Sequence, residues 1–348
     1  MNGLILFVAI IFFLWVGRSI LIPLLVAIFL WYLINATATY VRKIFPFNSD
    51  NERRNRPIAA RAFDWTSNIL SVLVMCGLLY FFATQIQPMF REMAMALPEL
   101  QHKFVQFGDY LSQSLGLRFD ASMIPNVANI AASIGASVAG IVTSTGMILV
   151  YMIFLFVEQS TFNKKFSALI TNKREYKKAR FIVDSIDDNM KKYLFMKTLL
   201  SGITGVLSYF WLQMIGVEFA GIWAFIVFVT SYIPTIGAIV ACALPILYSL
   251  VTAPSLQQPI LTAVGLIALQ IIFGNILEPK LTGKTLNLST LAILINLVFW
   301  GMIWGVAGMF FSVPLLVAIF IITAQFDSTR WIAVLLSADG KIPDKSEE

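Results

Sequence analysis

Thr230-Ser231-Tyr232-Ile233-Pro234-Thr235-Ile236-Gly237 cuts a long apolar run in two. The run from Phe219 to Val251 exceeds thirty residues. As one helix it would measure about 50 Å at 1.5 Å per residue, against a hydrocarbon core of about 30 Å. One straight helix is too long for one crossing. Proline removes a backbone donor and glycine loosens a helix, so two helices are expected to meet near Pro234, as a re-entrant hairpin or as two closely joined spans. Polar backbone freed there must face protein or water. Ser289 to Gln325 poses the same length problem, with interruptions at Gly301, Gly305, Gly308 and Pro314, and it too is expected to fold as a hairpin. Residues 259 to 277 form one ordinary span between them.

Composition sets the class. The chain has 348 residues, 58% of them hydrophobic and only 13% charged, with a mean hydropathy of +0.80. Several runs reach the 18 or so apolar residues of a membrane-spanning helix, so the chain reads as an all-α, polytopic integral membrane protein with broken or re-entrant helical hairpins. The net charge of +6 comes from Lys and Arg clustered between apolar runs, which fits cytoplasmic loops and argues against a nucleic-acid partner. Cys76 and Cys242 each sit inside an apolar run and read as buried free thiols. His102 is the single histidine, so no zinc site is supported. No Lys or Arg precedes Arg18, which speaks against a signal peptide.

In chain order, residues 3 to 17 and 20 to 41 are expected to form a tight helical hairpin joined at Gly17-Arg18-Ser19. The basic loop Arg42 to Arg61 is placed in the cytoplasm by the positive-inside rule. Residues 64 to 90 then cross outward. Beyond them, 91–137 is an extracytoplasmic amphipathic segment. Phe90, Met93, Leu97, Leu100, Phe104, Phe107 and Leu111 recur there at alternating gaps of three and four. That is a heptad seam, which serves either as a subunit contact or as a face laid back on the protein's own membrane domain. Residues 138 to 157 return inward, and 158–197 is the most basic stretch. Ala179, Ile182, Val183, Ile186, Met190, Tyr193 and Leu194 share one face of it, opposite Asp184, Asp187 and Asp188. This amphipathic pattern suits a membrane surface or helix packing, or simply a solvated face with one core side. Residues 198 to 216 cross outward again into 218–288, the expected transport core of what is otherwise a single membrane domain, 1–348.

Two further features bear on function. Pro23-Leu24-Leu25-Val26-Ala27-Ile28-Phe29 recurs unchanged as Pro314-Leu315-Leu316-Val317-Ala318-Ile319-Phe320. If this echo is structural, each proline marks a hairpin or helix break, in the manner of internal repeats in secondary transporters. No phosphate-cradling Gly-rich loop and no nucleophile–histidine pair is present, so neither an ATP-driven pump nor an intramembrane protease is indicated. What remains is polar chemistry at helix breaks: Ser231, Tyr232, Pro234, Thr235 and Gly237 at the first; Gln270, Asn275, Glu278, Pro279 and Gly283 at the second; Ser289, Thr290 and Asn296 beyond. Hydroxyls, amides and unwound backbone bind small polar molecules or dehydrate cations, and Glu278 adds a titratable charge. Set against this, Ser, Thr and Asn also merely link helices, and Glu278 beside Lys280 also suits a headgroup anchor.

The succession Asn275-Ile276-Leu277-Glu278-Pro279-Lys280, Gly283, Leu288-Ser289-Thr290, Phe299-Trp300-Gly301, Gly308-Met309 and Ser312-Val313-Pro314-Leu315, with Tyr232 to Gly237 upstream, resembles the autoinducer-2 exporter family of bacterial membrane proteins. The resemblance covers nearly the whole chain. It implies a transporter of about eight membrane segments in the bacterial inner membrane; counting the crossings from a cytoplasmic amino terminus leaves the carboxyl terminus cytoplasmic as well. It further implies a homo-oligomer, a pentamer, that needs no cofactor or metal and is not an enzyme. The implied activity is outward movement of a small polar solute, autoinducer-2 being the signal for which such members are named. Sodium/proton antiport, with Glu278 as the exchanging carboxylate, is the alternative.

Overall fold

The structure is a computed structural model that describes residues 2–44, 84, 88–89, 91–96, 98–109, 112–113, 127–170, 172–282 and 287–342. Among these no strand forms, apart from an isolated antiparallel bridge between Leu288 and Ser337. The helices are α1 (Asn2–Val16), α2 (Arg18–Ile44), α3 (Val127–Leu169), α4 (Lys173–Met214), α5 (Ala220–Thr230), α6 (Ile236–Thr252), α7 (Gln257–Gln270), α8 (Glu278–Thr282), α9 (Thr290–Ala324) and α10 (Arg330–Leu336). A π-wound segment, Ile271–Leu277, joins α7 to α8, and shorter helical stretches occupy 91–96 and 98–109. Three described helical spans, Arg18–Thr39, Gln257–Leu281 and Thr290–Ala324, are long and apolar enough to cross a bilayer, and Ser144–Gln159, α5 and α6 are shorter apolar helices. The chain is an all-α, polytopic membrane protein.

It divides into two compact units. The first comprises Met1–Gly77, Thr145–Thr198 and Glu278–Glu348; the second comprises Leu78–Ser144 and Leu199–Leu277.

In the second unit the long run around Pro234 folds back on itself. With 11 and 17 residues, α5 and α6 measure about 16 and 25 Å, each short of the bilayer core. Tyr248, near the end of α6, lies 6.0 Å from the Phe219 ring and 5.3 Å from the Trp223 ring at the start of α5. That contact requires antiparallel legs. The chain reverses through Thr235 at φ 59, ψ −61. Two residues on, a Cβ added to Gly237 would stand 1.8 Å from the Thr230 carbonyl oxygen, so only glycine fits. These features make the run a helical hairpin with two short antiparallel legs.

Around this hairpin the core gathers Leu100, Leu212, Trp223, Ile226, Tyr248 and Leu266, with Met89, Met93 and Phe104 packed against it. Leu100 is 7% exposed. The centre of the heptad seam is therefore spent on the protein's own core rather than left for a neighbouring subunit. Phe90, Leu97 and Leu111 lie outside the described residues. Trp211 crosses α7 at Gly265, its Nε1 donating to the Leu261 carbonyl at 3.0 Å. The span at 257–281 is also less ordinary than expected, because its second half is wound as a π-helix through Gly274. Such segments are rare and often mark functional positions.

The first unit contains the second hairpin. α9 breaks at Gly305, whose φ of 62 and ψ of −139 are not helical. Asn296 Nδ2 donates to the Ser312 carbonyl at 2.6 Å across the two legs. A Cβ on Gly308 would lie 1.9 Å from the Trp300 carbonyl oxygen. The expected fold-back is present, but its turn is Gly305 and not Pro314.

Pro314 and Pro23 both lie inside helices. Neither echoed proline therefore marks a break; Pro234, outside the repeated heptapeptide, sits at one. Gly17 lies between the end of α1 and the start of α2, where Ile20 N–H donates to its carbonyl at 3.0 Å. Gly17 N–H donates to the Phe13 carbonyl at 2.8 Å, and its own carbonyl accepts from Leu21 N–H at 2.9 Å, an i to i−4 step on each side. Leu14, Leu21 and Leu25, on α1 and α2, then pack on one cluster around Trp300 and Trp304.

The apolar face of the basic stretch has a partner within its own unit. Ile182, Ile186, Met190, Tyr193 and Leu194 pack on Val313, Val317 and Ile321 of α9. The opposite face carries the exposed ion pair Arg180–Asp184, of small energetic weight, and the half-buried pair Lys191–Asp187. Elsewhere, Phe154, Ile239, Val264 and Met302 are more than half exposed, as suits residues that face lipid tails. Between helices in lipid, close packing replaces water exclusion as the cohesive force, so tight glycine crossings carry unusual weight.

Replacing Gly237 or Gly308 by alanine forces a methyl into a backbone carbonyl. Each substitution is expected to cost about 1–3 kcal/mol or more through overpacking. Thermal unfolding in detergent, monitored by helical circular dichroism, should show a lowered midpoint for both. Gly146→Ala, where a Cβ meets nothing within 4 Å, should leave it unchanged.

Candidate functional site

The hydroxyls at the first break are turned inward on their own helix. Thr230 Oγ1 donates to the Ile226 carbonyl at 2.7 Å and Ser231 Oγ to the Val227 carbonyl at 2.6 Å. Back-bonds of this kind bend a helix and satisfy the side chain locally. Tyr232 is 4% exposed and meets the Phe228 ring edge-on at 5.7 Å. Pro234 is half-buried, Thr235 exposed and Gly237 buried. In the same unit Gln270 is half-buried at the end of α7, and Asn275 is exposed on the π-wound segment.

The first unit holds the remaining candidates. Asn296 staples the α9 hairpin, accepting from Trp300 Nε1 at 3.1 Å while its amide donates across to Ser312. Ser289 precedes α9 without a side-chain cap bond, and its backbone N–H donates to the Leu336 carbonyl at 2.8 Å. Thr290 and Pro279 are exposed, and Gly283 lies outside the described residues.

Glu278 is different. Lys197 Nζ donates to its Oε1 at 2.6 Å and its Oε2 at 2.7 Å, with the lysine side chain 8% and the carboxylate 25% exposed. Lys280, adjacent in sequence, is exposed. The counter-charge comes instead from α4, 81 residues away. Taking two ions out of water costs several kcal/mol apiece, and only close geometry with charge-assisted bonds offsets that.

Lys197 escaped the sequence reading because it closes the basic stretch and looks like its last loop residue. A usable signal was present nevertheless. Lys197, Ser201, Thr204 and Ser208 follow one another by four, three and four, which puts them on one face of α4, and each is no more than 7% exposed. A lysine at the end of a buried polar stripe is not a solvated loop charge.

A carboxylate and a lysine paired where the basic helix α4 meets the end of an apolar span, two helical hairpins and a π-wound segment define a class: a multi-pass α-helical membrane protein. The family profile described as AI-2E family transporter matches residues 4–327, and the chain belongs to that family. It is 28% identical over 280 residues to the AI-2 transport protein TqsA of Escherichia coli K12, a match covering 78% of this chain and 80% of TqsA. It is 33% identical over 219 residues to a predicted transport protein of Haemophilus influenzae, covering 63% of this chain and 62% of that protein. The predicted transport protein YueF of Bacillus subtilis is 21% identical over 319 residues, 85% of this chain and 81% of its own length.

A clasp closes the first unit after α10. Asn287 Nδ2 donates to Asp339 Oδ1 at 2.6 Å and to the Lys341 carbonyl at 2.9 Å, and Ala338 N–H donates to the Asn287 carbonyl. The Asn287 amide, then the Lys341 backbone N–H, hold the Asp339 carboxyl below its ordinary value of 3.8. A depressed carboxylate stabilises the docked form above its unfolded value and loses that contribution as pH falls through the folded one. Limited proteolysis should therefore find residues 338–342 more protected at neutral pH than at a pH well below 3.8. Asp339→Asn should remove the pH dependence.

Proposed function

We propose that the protein is a secondary carrier that moves a small polar metabolite outward across the bacterial inner membrane, with autoinducer-2 as the first solute to test. It works without ATP, cofactor or enzymatic step, as a homo-oligomer, with the loop 278–288 and both termini on the cytoplasmic side. The observation that carries this reading is the Lys197–Glu278 pair. Ionisable side chains kept within apolar helices usually mark a solute or ion path. Support comes from the broken hairpins, a construction shared by many secondary transporters, and from TqsA, whose name assigns it AI-2 transport.

In mechanism, the pair acts as a latch. While intact, it neutralises both charges and keeps α8 on α4. A polar solute approaching Glu278 offers hydroxyls that compete for the carboxylate and weaken the latch, which couples occupancy to rearrangement. Cation–proton exchange at Glu278 is less well supported, because the names of these relatives assign transport or AI-2 transport and none assigns antiport.

The test separates latch from scaffold. In sealed vesicles, outward or inward flux of autoinducer-2 should exceed that of empty vesicles without imposed ATP. Glu278→Gln alone is expected to lower both flux and stability. The paired change Lys197→Met with Glu278→Leu removes both charges and should restore the melting temperature to near wild type. Flux should still fall at least tenfold. Wild-type flux from the paired variant would leave the ion pair a purely structural element.

A further inference from the structure

α10 lies across the open end of the α9 hairpin. Just before it, Thr329 Oγ1 donates to the Thr323 carbonyl at 3.1 Å, at the end of the second leg. At its far end, the Leu336 carbonyl accepts from Ser289 N–H at 2.8 Å, at the entry to the first leg. Its 7 residues measure about 10 Å, the spacing of two packed helices, so α10 bridges the leg ends and prolongs neither. Those ends bound a span apolar enough to cross a bilayer, which sets α10 at the level of the headgroups.

The helix is apolar on two sides. On the inner side, Ala333 is fully buried against Phe320 and Ala324. On the outer side, Trp331, Val334 and Leu335 follow at three and four residues, and they are 62%, 43% and 69% exposed. Such a face suits lipid and not water. It comes directly after Ile319, Ile322 and Phe326, exposed apolar residues at the end of α9, so the surface that meets acyl chains along the span is carried on into α10. A tryptophan at this depth is an interfacial anchor.

Charge selects the lipid. Lys178 Nζ, on α4, stands 4.7 Å from the centre of the Phe326 ring. Thr329 N–H donates to the Phe326 carbonyl at 3.0 Å, a turn that keeps the exposed Arg330 within a few residues' reach of that ring. Residues 173–180 and 326–337 together carry six Lys and Arg against two carboxylates, Glu175 and Asp327. Cations gathered at the membrane surface attract headgroups of net negative charge, whereas a zwitterionic headgroup brings an ammonium of its own. We propose that α10, Phe326 and the start of α4 form a docking site for an anionic phospholipid. Lys178 and Arg330 hold the headgroup phosphate, and Trp331, Val334 and Leu335 lie among the first acyl carbons. The site depends on the chain's being a membrane protein and not on the carrier reading.

The full-length protein is placed in phosphatidylcholine nanodiscs containing a minor fraction of either brominated phosphatidylglycerol or brominated phosphatidylcholine. Bromine quenches nearby tryptophans, and the quenching lost in Trp331→Phe is the part that reports on α10. That part should be at least about threefold larger with the brominated phosphatidylglycerol. Lys178→Gln with Arg330→Gln should equalise the two lipids, each single change should act partway, and Lys178→Arg with Arg330→Lys should keep the preference. Melting temperatures show whether each variant folds. Equal quenching by both lipids in the wild type, or an unchanged preference in the double Gln variant, overturns the anionic site. Loss of the preference on adding inorganic phosphate at constant ionic strength makes it a site for free anions and overturns the lipid assignment. Trp331 left unquenched by either lipid shows a face covered by protein, a second copy or another partner, and overturns the docking site altogether.

Discussion

A carbonyl oxygen that almost touches the next leg of its own hairpin is the contact on which this fold depends. Apolar runs longer than the bilayer is thick must reverse inside it, and reversal brings backbone against backbone. At both reversals the contact has one form: Thr230 O faces Gly237 in the first hairpin and Trp300 O faces Gly308 in the second. A side chain at either glycine would wedge the legs apart. With the legs closed, Tyr248 reaches Trp223 in one unit and Asn296 reaches Ser312 in the other. Those contacts hold what the glycines allow.

Against this background the Lys197–Glu278 pair is costly. Replacing a buried ion pair by apolar residues of similar volume is often neutral or stabilising, so stability alone does not explain a pair whose lysine is 8% and carboxylate 25% exposed. The hairpin staples show the cheaper option. Asn296, Trp300 and Ser312 join their legs with neutral hydrogen bonds and bury no charge. Where the chain needs only cohesion, it uses amides and indoles. Charge appears where α8 meets α4.

Much of this was legible from residue order. Run length and bilayer thickness gave both hairpins, because they depend on counting and not on tertiary detail. The location of each turn was harder. Gly301, Gly305, Gly308 and Pro314 were all candidate interruptions, and proline is tolerated in a membrane helix whose freed carbonyl finds a partner. A φ of 62 is accessible to glycine at no cost and invisible in the sequence. The polar site candidates were chosen by type. Type does not say whether a hydroxyl bonds its own helix, as Thr230 and Ser231 do, or whether a carboxylate has a partner 81 residues away.

The two hairpins also differ in where they hold strain. The second turns on Gly305, for which positive φ costs little. The first turns on Thr235, a β-branched residue at φ 59, after entering through Phe219 at φ 57. Non-glycine residues in such regions cost of order 1–3 kcal/mol each and persist only when their surroundings over-determine them. Gly237 stands two positions from Thr235, so the sequence places glycine where a Cβ would collide and not where φ is positive. The tight crossing takes precedence over the relaxed turn. A hairpin closed by contact but strained at its tip is held on one side only, and of the two it is the one with less to lose on rearranging.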